Sequence, residues 1–440
     1  DDDVSVTVSD IIAGQTVQIS SLASAATGAD EDLVLDMDSP TGTADAITLE
    51  SVASAATTAH VNSMSSVTVN TTTVASVAEE VETLNLVATR ADVSTAAGTQ
   101  IQSLVAATTT TLNITGAGGV TIDLVQMKDA TTADTDVATI NAADATGNVT
   151  IGKDGTDFQA TDTDDFAITL GSGTNTVYGE AALDSGDTIT GTTGTDTVDL
   201  ANSTGAVNLV NIDTVALSGS STATYTSSAE NWSDVTAVSI NMGAGGRTLT
   251  SISSDLASGK ITVEDDIDSS DTLTLTGATG VTAMEVTLSG VAISAGALST
   301  NATDFTINVE SHDTGATTAI DEKVVLNDTQ TSLTLTGGGV TSSAGTNASL
   351  NLDTGSSALI ASINSTYDGS LDLGGVYFNT TGGTTVTTGA NTNAVTTTVL
   401  AADVTNGTVH FNDTAGTDTL LFTVVASATD LGTLNVDGYE

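Results

Sequence analysis

The sequence predicts an all-β chain wound as a parallel β-helix, or β-solenoid, with Gly/Asp turns. Three observations carry that expectation. Short runs alternate apolar and small polar residues. Segments of the form strand, glycine corner, strand recur almost unchanged. Among 440 residues there are 42 glycines, one proline and only 3% aromatics.

The alternation is seen in Val67-Thr68-Val69, Thr83-Leu84-Asn85-Leu86, Phe305-Thr306-Ile307-Asn308-Val309 and Ser349-Leu350-Asn351-Leu352. Period two in short runs is the signature of a strand with one buried face. Thr and Val are β-branched and suit a pleated surface. Helix signals are few: Asp10 to Ala26 and the Ala-rich Ala53 to Met64 are expected to hold short helical turns. High net charge favours disorder, but 39% hydrophobic residues and a mean hydropathy of +0.16 favour an ordered β chain.

The repeats decide the architecture. Thr111-Leu112-Asn113-Ile114-Thr115-Gly116-Ala117-Gly118-Gly119-Val120-Thr121 matches Thr272-Leu273-Thr274-Leu275-Thr276-Gly277-Ala278-Thr279-Gly280-Val281-Thr282. A third copy, one residue shorter, runs from Ser332 to Thr341. Strand units of about ten residues with glycine corners suit stacked rungs, whose core lengthens without thickening. Narrow rungs filled by Val, Ile, Leu, Ala and Thr also explain the scarcity of aromatics. The rival is a string of tandem β-sandwich domains, which would each be expected to bury a Trp or Tyr; Trp232 is the only tryptophan. Acidic composition shifts suggest three regions: a β-rich 1–150, an acidic 151–235 and a repetitive 236–440.

Charge narrows the function. Asp+Glu number 55 against Lys+Arg 6, a formal net charge of −49. The cations Arg90, Lys128, Lys153, Arg247, Lys260 and Lys323 cannot neutralise the acids by pairing. Bound cations or a salty medium must do so. Nucleic acid is excluded as a partner, because phosphate binding needs basic residues to release counterions. Anionic membranes are excluded on the same ground. No apolar run reaches the ~20 residues of a transmembrane segment. Cysteine is absent, so no disulfide staples the chain. The opening Asp1-Asp2-Asp3 is read as part of a longer, processed and secreted product.

Calcium is the expected ion. It takes six to eight oxygens from carboxylates, carbonyls and Asn side chains. In secreted parallel β-rolls a Gly-Gly-x-Gly-x-Asp-x-apolar-x turn supplies them between rungs. Degenerate forms occur at Gly191 to Leu200, carrying Asp196 and Asp199, and at Asn412 to Leu420, carrying Asp413 and Asp418. Gly171 to Val177 has Asn175 in place of Asp, and Ser185-Gly186-Asp187-Thr188-Ile189 is a shorter relative. Each could equally be an ordinary Asp/Gly turn. Further candidates are acidic clusters: Asp30 and Asp32 around Glu31, Asp162 with Asp164 and Asp165, and Asp265, Asp266 and Asp268 beside Glu264. Close carboxylates repel unless a cation lies between them. A solvated, salt-adapted surface is the alternative.

Catalysis has little to stand on, and the chain is expected not to be an enzyme. His60, His312 and His410 have no metal-ligand spacing, and no Gly-x-Ser-x-Gly elbow occurs. Carboxylate pairs suit glycosidases, but the aromatic platforms of sugar clefts are scarce.

Together these features resemble the secreted S-layer proteins of Gram-negative bacteria that carry RTX-like calcium turns. The resemblance rests on the Thr/Ala/Gly/Val/Asp bias without Cys, on Val81-Glu82-Thr83-Leu84-Asn85-Leu86, on Thr111 to Thr121 and on Asn211 to Gly219. It implies a calcium-stabilised β-solenoid that is exported, associates with itself and tiles a lattice on the cell surface, anchored to outer-membrane lipopolysaccharide. The family's calcium turns carry over to Asp187, Asp196 and Asp418, with Gly191, Gly194 and Gly416 as turn glycines. The chain departs from the family in its incomplete nonapeptides and in having no recognisable export tail. A surface adhesin or extracellular filament built on the same solenoid is the alternative role.

Overall fold

The computed structural model describes residues 4–20, 31–37, 45–53, 62–71, 81–90, 97–127, 137–156, 158, 165–179, 183–201, 206–219, 223–228, 231–241, 245–264, 272–289, 297–311, 321–326, 330–337, 349–354, 360–367, 370–375, 382–389, 394–400, 408–414, 419–425 and 433–439. Among them there is no helix, and each strand pairs with its neighbours in parallel. The fold is a parallel β-solenoid, and tandem sandwiches are ruled out because a sandwich is built from antiparallel strands. The one antiparallel contact among the described residues is the isolated Lys153–Thr156 bridge.

The chain forms two compact units, Asp1–Ala216 with Glu230–Thr236, and Leu217–Ala229 with Ala237–Glu440. In the first unit one sheet runs, neighbour by neighbour, through Val4–Ile11, Glu31–Met37, Asn62–Thr71, Ala97–Val105, Gly119–Ile122, Val149–Ile151, Thr174–Tyr178, Thr195–Asp199 and Thr214–Leu217. A second, 9-stranded sheet begins at Thr16–Ser20 and passes through Ala46–Ala53, Thr83–Arg90, Thr111–Thr115, Ala138–Asn141, Phe166–Thr169, Thr188–Thr190 and Asn208–Val210 to Trp232–Ser233. Apart from the short Val125–Gln126, which follows Gly119–Ile122 in the same sheet, consecutive strands from Val4 to Val210 alternate between the sheets, so each coil of chain contributes a strand to both. Equivalent residues are 28 positions apart at Asn85, Asn113 and Asn141, and 37 apart between Thr48 and Asn85. The ten-residue unit visible in the sequence is therefore one side of a rung.

Alternation fills the interior with columns of like side chains. Ile47, Leu84, Leu112, Ile140, Ile168, Ile189 and Leu209 stack in register, each at most 1% exposed. Trp232 continues the column beside Leu209. Burying each such side chain is worth roughly 1.5–3 kcal/mol. In the second unit a parallel sheet runs from Ala237–Ile240 to Thr433–Asp437. Its interior column includes Met284, Phe305, Leu333, Ile363, Val386 and Phe411, all buried. A 4-stranded and a 5-stranded sheet complete that unit.

The first two repeats share one pattern, and the third is described as far as Gly337. Thr111–Thr115 and Thr272–Gly277 are strands, each followed by a glycine corner and a second strand. Gly116 has φ +104° and Gly337, in the third copy, φ +102°. A Cβ on either would strike a backbone carbonyl of the preceding rung, that of Ala88 or of Val309. Only glycine combines that backbone angle with that approach.

The expected helical turns are not formed where they are described. Val4–Ile11, with a positive φ at Asp10 where its register shifts, and Thr16–Ser20 are strands joined by a turn with positive φ at Gly14. Ala53 ends the strand Ala46–Ala53, which is in register with Thr83–Arg90, and Met64 lies in Asn62–Thr71. Cross-rung pairing overrides the modest helix propensity of alanine. Residues 21–26 and 54–61 lie outside the described residues.

Candidate functional site

The Gly-x-Asp and Gly-x-Asn turns of the first unit meet at one corner of the solenoid. Asn175 and Asp196 are in register on the strands Thr174–Tyr178 and Thr195–Asp199. Their preceding glycines stack too: a Cβ on Gly173 would strike Gly147, and one on Gly194 would strike Gly173. The corner is thus a glycine column beside an Asn/Asp column. Asn175 Nδ2 donates to Asp196 Oδ1 at 2.7 Å, and Asn175 Oδ1 accepts the Val149 N–H at 3.0 Å. Asp196 Oδ2 accepts the Thr192 N–H at 3.0 Å, while the Asp196 N–H donates to Asp213 Oδ2 at 2.8 Å. Burial holds the Asp196 carboxyl above its usual range, against the hydrogen bonds from Asn175 and Thr192 and reinforced by the nearby Asp213 charge.

Asp187 is built similarly on the other sheet. Its Oδ1 accepts the Phe166 N–H at 2.7 Å, and its Oδ2 accepts the Asp184 N–H. Burial pushes its pKa up to about 7; the two backbone N–H groups oppose this, and the Asp184 and Asp165 charges add to it. Asp165 is exposed, and its carboxylate sits where a side chain on Gly186 would have to go. Both turn aspartates therefore have their oxygens engaged by N–H donors and act as corner caps.

Of the other expected ligands, the described Asp32, Asp199 and Asp413 stand on separate strands. Asp32 is exposed and accepts the Ser66 hydroxyl at 2.6 Å. Asp199 is buried beside Tyr178 in the register. Asp413 is buried at the end of Thr408–Asp413. Asp30, Asp162, Asp164, Asp265, Asp266, Asp268 and Asp418, with Gly416, lie outside the described residues. Among the described residues no three His, Asp or Glu side chains converge as a metal group.

Two features escaped the sequence reading. Asp45 and Glu82 stand just before strands that pair Ala46 with Thr83, so they flank the same corner on successive rungs. Glu82 Oε2 accepts the Asp45 N–H at 2.7 Å. Asp45 is 8% exposed and its Oδ2 has no hydrogen-bond partner. A buried acceptor left unpaired is costly, and a cation shared with Glu82 would remove that cost. This pair fits part of an oxygen ligand set for calcium. Aligning Ala46-Ile47-Thr48-Leu49 with Thr83-Leu84-Asn85-Leu86 shows the two acids at one repeat position.

The second is Arg247, fully buried, in register between Ala223 and Leu273. Its guanidinium donates to the Ser218 carbonyl at 3.0 Å and to that of Gly219. Elsewhere Lys260 pairs with Asp255 at 2.6 Å on the surface. His410 is in register with Asn435, and their side chains hydrogen-bond at 3.1 Å. Among the described residues no helix is long and apolar enough to cross a membrane.

Comparison with protein-family models, curated proteins and solved structures gives no match.

Proposed function

We propose that this chain is an extracellular structural protein, not an enzyme, whose copies assemble into an S-layer-like coat on a bacterial surface with calcium as the counterion. The observation that carries the reading is the pairing of a regular solenoid with a net charge of −49. Parallel rungs make a rigid spacer that grows in one dimension. So many uncompensated carboxylates keep copies apart until a divalent cation bridges them. The orphaned oxygen of Asp45 beside Glu82 supports an intramolecular ion, and exposed acids such as Asp32 and Asp165 support bridging ions. Anchorage to outer-membrane lipopolysaccharide through shared divalent cations belongs to the same reading. His410 stands in a cross-rung ladder with Asn435, a structural placement in keeping with a non-catalytic role.

The test is calcium titration of chelator-stripped protein, followed by thermal melting and negative-stain imaging, with magnesium and sodium as controls. A ligand of the folded state alone must raise stability, by about 2.7 kcal/mol at a hundred times its Kd. Calcium is expected to raise the melting point and yield ordered sheets. Asp45→Asn is expected to keep the calcium-free melting point or raise it, and to lose part of the calcium-induced rise. Equal effects of sodium without assembly would refute the reading and leave a salt-adapted stalk.

A further inference from the structure

The second sheet of the first unit carries two outward ranks of uncharged side chains, bordered at one end by Glu50 on the strand Ala46–Ala53. One rank of side chains runs Thr48, Asn85, Asn113, Asn141, Thr169 and Thr190, in register across six rungs. The neighbouring rank, two residues earlier on each strand, holds only Thr and Ala. All of these positions are half-buried, as expected of outward side chains in mid-sheet. Six rungs span roughly 24 Å and the two ranks lie roughly 7 Å apart. The other sheet of the same unit, by contrast, carries Asp32 and Asp36 on its outward side.

From this distribution we infer that the uncharged Thr/Asn face is where one copy of the chain packs on another, a contact that rests on the assembly reading above. Three physical points select a second copy as the occupant. A chain of net charge −49 repels its own kind, and from Asn85 to Thr190 these two ranks can approach a like strip without a carboxylate of their own, with Glu50 left at the border. Threonine hydroxyls and asparagine amides both donate and accept, so the face is complementary to itself, as a two-fold contact requires. The rank is also already ordered: Asn113 Nδ2 donates to Asn85 Oδ1 at 2.9 Å, and Asn141 Nδ2 to Asn113 Oδ1 at 3.4 Å. Side chains fixed before contact lose less entropy on binding. The strip is smaller than the ~800 Å² per partner of a stable isolated dimer. It therefore gives a weak contact that holds only when repeated through an array.

The absence of cysteine makes the test direct. Thr139→Cys places a thiol on the face, and Thr150→Cys places one on the outward side of the opposite sheet. Under calcium-driven assembly and mild oxidation, Thr139→Cys is expected to form disulfide-linked dimers and Thr150→Cys to remain monomeric. In parallel, the double variant Asn113→Glu with Asn141→Glu is expected to keep its circular-dichroism spectrum. Its assembly concentration should rise by about ten-fold or more, since each added carboxylate meets another across the contact. If the wild type assembles while the double variant assembles equally well, or both thiols cross-link alike, the face is the wrong one and the coat reading survives. A wild type that does not associate at any concentration, with or without calcium, overturns both.

Discussion

Asp187→Asn probes a carboxyl that burial perturbs strongly. Asp187 is 1% exposed and its pKa stands at about 7, against 3.8 for a free aspartate. The folded chain therefore holds a proton there that the unfolded chain releases. Below about pH 4 both states are protonated and the group is neutral in its effect. Between about pH 4 and pH 7 the unfolded state ionises first, so stability falls as pH rises, and above about pH 7 the loss is complete. Some three pKa units at 1.36 kcal/mol each amount to about 4 kcal/mol. Asparagine cannot ionise, but it replaces one acceptor facing the Phe166 and Asp184 N–H groups with a donor, at a cost of about 1 kcal/mol. The variant should then be less stable than wild type by about 1 kcal/mol at pH 4 and more stable by about 3 kcal/mol at pH 8. Long repeat arrays need not unfold in one step, so the comparison is best made by hydrogen exchange of residues 183–190 in chelator. A difference between the two proteins that stays constant from pH 4 to pH 8 would refute the argument.

Two further substitutions test the corners. Arg247→Met strips the donors from the Ser218 and Gly219 carbonyls and should destabilise the second unit by about 2–3 kcal/mol, read as faster proteolysis around 245–252. Gly194→Ala drives a methyl into the Gly173 backbone and should cost more than the roughly 1 kcal/mol of Gly155→Ala, whose Cβ meets open space although φ is +73°; equal melting points for the two variants would show that the glycine column is not close-packed.

The solenoid was legible because its signals are local and repeated. Thr83-Leu84-Asn85-Leu86 and Thr111-Leu112-Asn113-Ile114 state in sequence the inward and outward alternation that the structure shows. The role of Asp187 and Asp196 was harder to read. A Gly-x-Asp turn looks the same whether its carboxylate faces an ion or the N–H of the adjacent rung, and that rung lies some 20 residues away. Asp45 was missed because it stands outside any acidic cluster, and its importance comes from burial. Arg247 lies in a Gly/Thr-rich stretch with no acid beside it. Its partners are carbonyls, which no side-chain pattern encodes. The helical expectation at Ala53 failed because local propensity says nothing of the register with Arg90.

The spacing of 28 residues between stacked Asn85, Asn113 and Asn141 has a mechanical consequence. A strand peeled from the end of such a stack breaks one ladder at a time, and each coil freed pays out its whole contour. At roughly 3.4 Å per residue that is on the order of 90 Å of slack for a rung that occupied about 5 Å. Material woven from such coils would yield under tension in small, recoverable steps before it tore.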